Sequence, residues 1–459
     1  MRLTRVPHGL YPEPDYVRAL SCKVMGALLS NLPIHAHKGV TVSNSRRTTV
    51  AAIAATVTLA LVATGCSGAG ETPATGDVTL TLATFNDFGY TDELLAEFTD
   101  QTGIKVVHNK AATSNDARAN YFQKLGKTGL ADVEAIEIDW FTEAMQYSDL
   151  LAPVSDDLKG RWLDWKEASA TDADGNLIAY GTDIGPQGIC YRADLFEAAG
   201  LPTDRAEVAA LFDGDWDNFF EIGAEYKAAT GKPFIDSANS VLQGMVNQLD
   251  IAYEEKDGTI VATENADIEA AYTAVVEKAI PIAAYSGQWS EDWFASLASG
   301  EFAVMLCPGW MLGVISGNAA ETTGWDLADA FPGGGGNWGG SYLTVPANGA
   351  HVAEAQQLAD WLTSPETQMK AFANAGTFPS QNDALASDEL AAATNEYFNN
   401  APSGEILTNR ANAITTATHK GAQYFQFHDA LQNAVTRVFD GLEDQDTSWA
   451  TWVTEVSAF

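Results

Sequence analysis

The stretch VTLTLATFNDFGYTDELLAEFTDQTGIKVV (residues 78–107) decides the fold class. Apolar and polar residues alternate over 78–85, which predicts a strand, and Asn86 then opens a turn. The apolar residues that follow recur at helical spacing, and Gly103 ends that helix before a second strand at 104–107. Strand–helix–strand units of this length predict a largely parallel sheet flanked by helices, an α/β fold.

The same pattern continues along the chain. Further strands are predicted at 133–138, 188–191, 302–307 and 342–345, and further helices at 116–125, 194–199, 216–230, 352–363, 366–375, 422–439 and 448–456. Ligands of α/β sheets bind at the carboxyl ends of strands, where Asn86, Asp139 and Trp140 fall. These three residues are therefore candidates for ligand contact.

Length and charge narrow the class of protein. The chain has 459 residues, with 25 Lys and Arg against 61 Asp and Glu and a formal charge of −36. That length predicts two domains or lobes of roughly 150–200 residues each. A field this negative repels phosphate backbones and anionic lipid headgroups. It therefore excludes a nucleic-acid partner and a polybasic membrane contact.

The N-terminal region reads as an export signal. Arg46 and Arg47 precede an apolar run at 50–62, which is shorter than the ~20 residues of a membrane span. Small residues then lead to Cys66, which resembles the lipidated cysteine of a bacterial lipoprotein box. The alternative is a helix hairpin with an ordinary cysteine.

We therefore expect residues 1–65 to form a leader and signal peptide, with translation starting near Val42. Residues 66–77, which contain Gly, Pro, Ser and Thr, are expected to form a flexible tether. Cys190 and Cys307 lie in apolar, strand-like runs, and outside the cytoplasm they could form a disulfide. Two buried, unpaired cysteines are the alternative.

The candidate motifs for catalysis or metal binding are each incomplete in this sequence. Residues 172–176 resemble a calcium loop but lack its later acidic ligands. The glycine-rich loop 333–340 lacks the Lys-Ser/Thr of a phosphate-binding loop, and no His pair has metal-ligand spacing. Nearby carboxylates are expected by chance in so acidic a chain. The sequence thus predicts no catalytic residue, no cofactor and no metal.

The distribution of the 12 tryptophans is more informative. Several lie at strand ends or in turns rich in Gly, Pro or Asn, where an indole is placed to form an exposed flat platform: Trp140, Trp289, Trp310, Trp325 and Trp338. The C–H face of a sugar packs on such a ring, and its hydroxyls need polar partners. Candidate partners near loop ends are Asn86, Asp139, Asp183, Asn239 and His428. Core packing is the alternative for each tryptophan, but the set favours a carbohydrate site.

Three blocks of sequence follow one another in the chain. They are NLIAYGTDIGPQGICYRADLF (176–196), FASLASGEFAVM (294–305) before Gly309-Trp310, and GGSYLTV (339–345) before a helix, Ser364-Pro365-Glu366 and Phe378-Pro379-Ser380. In this order they resemble the extracellular solute-binding proteins, family 1, of ABC sugar importers. The opening 85–90 segment is most similar to the actinobacterial cellobiose and oligosaccharide branch.

The resemblance implies a two-lobed periplasmic-binding-protein-like fold with the ligand cleft between the lobes. It implies crossing segments near 183–185, 337–342 and 410–421. Lobe 1 would comprise 78–183 with 342–409, and lobe 2 would comprise 184–341 with 418–459. Trp310 would take the place of the stacking aromatic, Asn86 and Asn239 would lie in polar loops, and His428 would replace an aromatic residue.

The expected function is capture of a di- or oligosaccharide by a monomeric protein anchored through Cys66 to the outer face of the cell membrane. Its partners would be ABC permease subunits. One alternative is a secreted, lipid-anchored glycosidase, which would also use tryptophan platforms and carboxylates. Another is the same fold with a peptide, a polyamine or a metal as its ligand.

Overall fold

The computed structural model describes residues 78–459. The predicted leader, signal peptide, lipidation site at Cys66 and tether lie outside the described residues. The strands are β1 Thr79–Phe85, β2 Lys105–Ala111, β3 Val133–Glu137, β4 Tyr180–Gly181, β5 Asp183–Ile184, β6 Gln187–Arg192, β7 Ile235–Ser237, β8 Ala283–Tyr285, β9 Val304–Pro308, β10 Trp325–Ala328, β11 Ser341–Thr344 and β12 Phe378–Pro379.

The α-helices connect and cover these strands. They are α1 Asp92–Thr102, α2 Ser114–Lys124, α3 Ile138–Met145, α4 Asp164–Ser169, α5 Ala193–Ala199, α6 Arg205–Leu211, α7 Trp216–Thr230, α8 Ala238–Val246, α9 Ala266–Ala274, α10 Glu291–Ser299, α11 Gly309–Asn318, α12 Val352–Leu362, α13 Pro365–Ala375, α14 Asn382–Leu385, α15 Asp388–Ala391, α16 Ser403–Asn412, α17 Tyr424–Phe439 and α18 Gln445–Val456. Shorter 3₁₀ or π turns occur at Ser148–Leu150, Asp156–Leu158, Val275–Ala279 and Ile280–Ile282.

Helix α1 shows how the sequence sets these boundaries. The Thr91 side chain accepts a hydrogen bond from the Leu94 amide, and two acidic residues occupy the first turn. Gly103 ends the helix in the left-handed conformation with φ 76°, which glycine adopts without steric cost. The predicted strand, helix and stop in the opening stretch are confirmed.

Two five-stranded sheets organise the chain. Their strand orders are β2-β1-β3-β11-β4 and β10-β6-β9-β7-β8. Each sheet contains two parallel and two antiparallel pairings. The sheets are therefore mixed rather than largely parallel, because β11 and β6 each enter a sheet from a crossing segment and run against their neighbours. The α/β class is confirmed.

Separate hydrophobic clusters support the two sheets. Leu82, Ile136 and Tyr342 belong to the core of the first sheet, whereas Phe219 and Phe234 belong to that of the second. A third cluster lies around the Cys190–Cys307 disulfide, which joins the adjacent strands β6 and β9. The structure thus decides between the two alternatives for these cysteines in favour of pairing.

The chain passes from the first sheet to the second at 182–186 and returns at 329–340. The two crossing segments touch, since the Trp338 amide donates a hydrogen bond to the Gly185 carbonyl at 2.8 Å. A Cβ atom on Gly185 would lie 1.7 Å from the Trp338 carbonyl oxygen, so this crossing requires glycine.

Helix α16 packs against β6 of the second sheet, although its residues fall largely in the segment predicted for lobe 1. A later segment, 413–423, leads to α17, which packs against α18 and α8 and also touches α3 beside the first sheet. The lobe limits expected from the sequence stay a prediction.

Candidate functional site

A cavity of about 330 Å³ lies where the two crossing segments meet the ends of both sheets. This volume is at the lower end of the ~300–1,000 Å³ typical of small-molecule sites. The lining segments are the β1–α1 turn, the N-termini of α2, α3 and α8, the β8–α10 loop, the start of α11, both crossing segments, the residue before β12 and one face of α17. Both sheets therefore contribute to one site.

Three tryptophans form one wall of this cavity. The rings of Trp289 and Trp310 are stacked, with centroids 5.9 Å apart and an interplanar angle of 28°. Trp338 meets Trp310 edge to face at 5.2 Å, and its carbonyl oxygen accepts a hydrogen bond from Trp310 Nε1 at 3.0 Å. These contacts hold a continuous aromatic surface against the cavity.

Local backbone geometry places these rings. Trp310 lies in the first turn of α11, and a Cβ atom on Gly339 would lie 3.2 Å from its Nε1, so the glycine permits this close approach. Trp289 has a φ of 74°, which costs free energy for a bulky side chain. Such strain is typical of functional sites.

Carboxyl groups lie at the ends of the first-sheet elements. Glu137 ends β3, and its carboxylate accepts a hydrogen bond from the Asp139 amide at 2.9 Å. Burial and the charge of Asp139 raise the pKa of the Glu137 carboxyl well above its usual value, whereas Lys420 opposes the shift. Asp139, which is partly exposed, forms an ion pair with the buried Lys420.

The third carboxyl group, Asp183, lies in the first crossing segment. It accepts hydrogen bonds from the Thr182 hydroxyl at 2.8 Å and the Ser341 amide at 3.1 Å, which tie it to the second crossing. The ammonium group of Lys166 donates to the Asp183 carbonyl oxygen at 2.5 Å. Burial lowers the pKa of Lys166 to about 8 and raises that of Asp183.

One face of α17 forms another part of the lining. Phe425, His428, Asp429, Gln432 and Asn433 line the cavity, and their spacing of three and four residues places them on one helix face. The helix thereby offers carboxyl and amide groups for hydrogen bonds with a ligand.

His428 is fixed within this face. Its Nδ1 lies 2.8 Å from the Tyr253 hydroxyl, and its ring stacks on Tyr424 with centroids 5.4 Å apart. Burial lowers the pKa of His428 to about 4, so the imidazole is neutral at pH 7. It can exchange hydrogen bonds but carries no charge toward a ligand.

Amide groups beside the second sheet complete the lining. The side-chain oxygen of Asn239 is buried and has no hydrogen-bond partner within the described residues, so it is available to a ligand. Gln288 donates to the buried carboxylate of Asp236 at 2.6 Å, as does the indole of Trp293 at 3.0 Å. Burial raises the pKa of Asp236 to about 6.

Eight of the nine residues predicted from the sequence line this cavity. They are Asn86, Asp139, Asp183, Asn239, Trp289, Trp310, Trp338 and His428. Trp140 is placed elsewhere, in the core of the first sheet with 1% of its surface exposed, because its ring packs against Tyr121 and Phe122. Its indole donates to Ser114, which does line the cavity. Trp325 is also buried rather than a platform.

Other lining residues were not identified from the sequence. They are Phe85, Asp87, Phe88, Thr113, Ser114, Asn115, Glu137, Gln243, Gly287, Gln288, Val314, Gly339, Gly340, Ser341, Thr377, Phe425, Asp429, Gln432 and Asn433. The spacing of polar residues within 422–439 could have indicated the face of α17 that lines the cavity. The sequence did not indicate that Lys166 and Lys420 are buried beside the cavity, because lysine side chains are usually exposed.

A cavity between two α/β lobes, walled by stacked indoles and hydrogen-bonding groups, defines a two-lobed solute-binding protein. The sequence model of the bacterial extracellular solute-binding proteins matches residues 93–398, and the chain belongs to that family. Within residues 78–459, no helix combines the length and apolar character needed to cross a membrane.

Individual relatives agree with this assignment. One is an extracellular solute-binding protein of family 1 whose crystal structure superposes with a TM-score of 0.73 and whose sequence is 43% identical. The match covers 83% of this chain and 99% of that protein's chain. An arabinooligosaccharide-binding protein from Bacillus subtilis (strain 168) is 23% identical over 384 residues, which span 77% of this chain and 86% of that protein.

A third similar protein is the ABC transporter associated binding protein from B. animalis subsp. lactis Bl-04, solved with β-1,6-galactobiose. It is 18% identical with a TM-score of 0.71, and covers 83% of this chain and 97% of its own. At this identity the likeness shows the fold.

Proposed function

We propose that this protein captures a di- or oligosaccharide for an ABC importer. The observation that carries the proposal is the wall of Trp289, Trp310 and Trp338 in the same cavity as carboxyl and amide groups. Stacked indoles suit the apolar faces of sugar rings, and the polar groups suit their hydroxyls. A carbohydrate ligand is supported by two relatives, one an arabinooligosaccharide-binding protein and the other solved with β-1,6-galactobiose.

Hinged closure of the two lobes explains how binding would be signalled. A ligand that contacts residues from both sheets stabilises the closed arrangement and shifts the population toward it. The closed form would be recognised by permease subunits, to which the sugar is delivered. We propose residues 182–186, 329–340 and 413–423 as the three segments of this hinge.

Anchoring through Cys66 is a separate part of the proposal. The extracellular family supports a location outside the cytoplasm, and the Arg-Arg, apolar and small-residue sequence before Cys66 supports lipidation. Cells that express the full chain and its Cys66→Ala variant are compared by membrane fractionation with labelled palmitate. The parent chain is expected in the membrane with label; unlabelled, released parent protein would contradict the anchor.

Binding and hydrolysis are separated by one experiment. The mature chain is titrated calorimetrically with arabinobiose, lactose, cellobiose and β-1,6-galactobiose, and each mixture is then analysed for monosaccharide release. Saturable binding without product supports capture, whereas turnover supports the glycosidase alternative. Melting shifts with amino acids, polyamines or metal salts but with no sugar would support a different ligand class.

A further inference from the structure

The ionisable side chains of the cavity lining are mostly acidic, although burial and Asp139 raise the pKa of Glu137 well above its usual value and Asp139 is ion-paired with Lys420. Among the described residues that line the cavity, five carry carboxyl groups and none is Lys or Arg. The acidic residues are Asp87, Glu137, Asp139, Asp183 and Asp429. They come from the β1–α1 turn, the β3–α3 junction, the first crossing segment and α17, whereas the lining residues beside the second sheet are mainly indoles and amides.

The cations beside these carboxyl groups are outside the lining. Lys420 is ion-paired with Asp139, and its ammonium lies 4.6 Å from the centroid of the Tyr424 ring. Lys166 donates to the backbone carbonyl of Asp183 and lies 4.2 Å from the centroid of the Tyr342 ring. Both ammonium groups are buried behind the residues that face the ligand.

Three further basic residues, Lys110, Arg118 and His428, lie in or beside the lining, and none of them offers an unscreened, unpaired positive charge to a ligand. Lys110 lies 3.9 Å from Asp87, and because both side chains are well exposed, solvent screens the charge of each of them. Arg118 forms a bidentate pair with Glu143, and its guanidinium stacks on Phe425. His428 is neutral at pH 7, because burial lowers its pKa to about 4.

The aromatic wall also disfavours a ligand carboxylate. Indole faces carry negative electrostatic potential, so they attract ammonium groups and disfavour carboxylates. Trp289 and Trp310 present such faces, and the Trp310 N–H, which could have donated to an anion, is bonded to the Trp338 carbonyl. Among the described residues, the cavity lining thus contains no charged donor for a ligand carboxylate and several acceptors for a ligand amine.

We propose that this cavity selects its glycan by charge: it admits neutral and amine-bearing oligosaccharides and rejects those that bear a carboxylate. The inference rests on the proposed sugar-binding function and specifies its substrate class. A unit charge ~6 Å from a facing carboxylate, at an effective dielectric constant of ~20, corresponds to roughly a hundredfold change in Kd. We therefore expect uronates to bind at least tenfold more weakly than their neutral counterparts.

The ligand-side test uses two matched sets of disaccharides. The first is cellobiose, cellobiouronate and the β-1,4-glucosamine disaccharide; the second is galactobiose, digalacturonate and the corresponding galactosamine disaccharide. Kd is measured at pH 7 in each set whose neutral member binds. The expected order is amine at least as tight as neutral, and uronate at least tenfold weaker. A uronate that binds as tightly as its neutral counterpart overturns the charge inference, whereas failure of every neutral sugar refutes the proposed function itself.

The protein-side test removes the partner of a buried cation. Asp139→Asn removes the ion-paired carboxylate of Lys420, although Glu137 stays nearby, so the variant is expected to gain at least tenfold in affinity for the uronate while it binds the neutral sugar less tightly. Asp100→Asn, on the exposed face of α1, makes the same change of charge outside the cavity and is expected to alter neither affinity. Unchanged uronate affinity in a folded Asp139→Asn variant overturns the role of the Asp139–Lys420 pair in the rejection of carboxylates. If that variant fails to fold, the ligand sets still decide the inference.

Discussion

Replacement of Trp310 by alanine is the most direct test of the aromatic wall. A sugar ring on one indole face covers about a third of the ~150–250 Å² that an aromatic side chain can bury, or about 70 Å². At ~25 cal/mol per Å², this contact contributes about 2 kcal/mol. Loss of the stacked partner of Trp289 and of the hydrogen bond to the Trp338 carbonyl adds up to about 1 kcal/mol, because the remaining wall is less well ordered.

Trp310→Ala is therefore expected to weaken disaccharide binding by roughly 30- to 150-fold while the fold is retained. Calorimetry with the sugar that gives the largest melting shift measures the change, and circular dichroism checks the fold. Trp310→Phe keeps a ring face but removes the N–H donor, so its Kd is expected to lie between those of the parent and the alanine variant.

Trp361→Ala provides the matched control. Its indole packs on Phe98 with ring centroids 5.5 Å apart and donates to Gln101, on the surface of the first sheet's helical layer and outside the cavity lining. This variant is expected to lose stability but to keep the parental Kd. A folded Trp310→Ala variant whose Kd stays within threefold of the parent would refute the role of the aromatic wall.

Three further predictions concern the frame of the site. Gly185→Ala is expected to cost about 3 kcal/mol in the free energy of unfolding by chemical denaturation, because its Cβ would clash with the Trp338 carbonyl; an unchanged midpoint would contradict that close approach. The pKa of His428 falls from 6.5 to about 4 on folding, so the parent should lose up to about 3 kcal/mol of stability as pH falls from ~6.5 to ~4. His428→Gln should lack this loss, and identical pH profiles would refute it. Replacement of both Cys190 and Cys307 by alanine opens a link across 117 residues and should lower stability by about 2–5 kcal/mol with little change in Kd; an unaltered melting temperature would refute the stabilising role.

Much of the fold could be predicted because its local signals agree. The opening stretch combines period-two alternation, a capping threonine and a terminal glycine, and the structure has a strand and a helix there. Strand direction could not be predicted in the same way. It depends on where the chain crosses between sheets, and β6 and β11 enter their sheets directly from crossing segments, so both run against their neighbours.

The candidate site was predictable where turn position alone decides exposure. Trp289, Trp310 and Trp338 lie in loops or at a helix start, and all three line the cavity. Trp140 follows a strand in the same way, yet it is buried because Tyr121 and Phe122 of α2 cover it. Its neighbour Asp139 lines the cavity, so one residue of rotation around a helix start separates a ligand contact from a core residue.

The buried lysines show why the electrostatics of the site needed the structure. In the sequence, Lys166 and Lys420 count as solvated charges that offset the acidity of the chain. In the fold, both ammonium groups lie beside aromatic rings. Lys166 donates to the backbone carbonyl of Asp183 and Lys420 pairs with the carboxylate of Asp139, so neither charge faces the ligand. A buried charge persists only with a partner, so each ammonium group is committed before any ligand arrives. The selectivity proposed for the cavity therefore depends on which charges the fold hides, and the net charge of the chain does not reveal it.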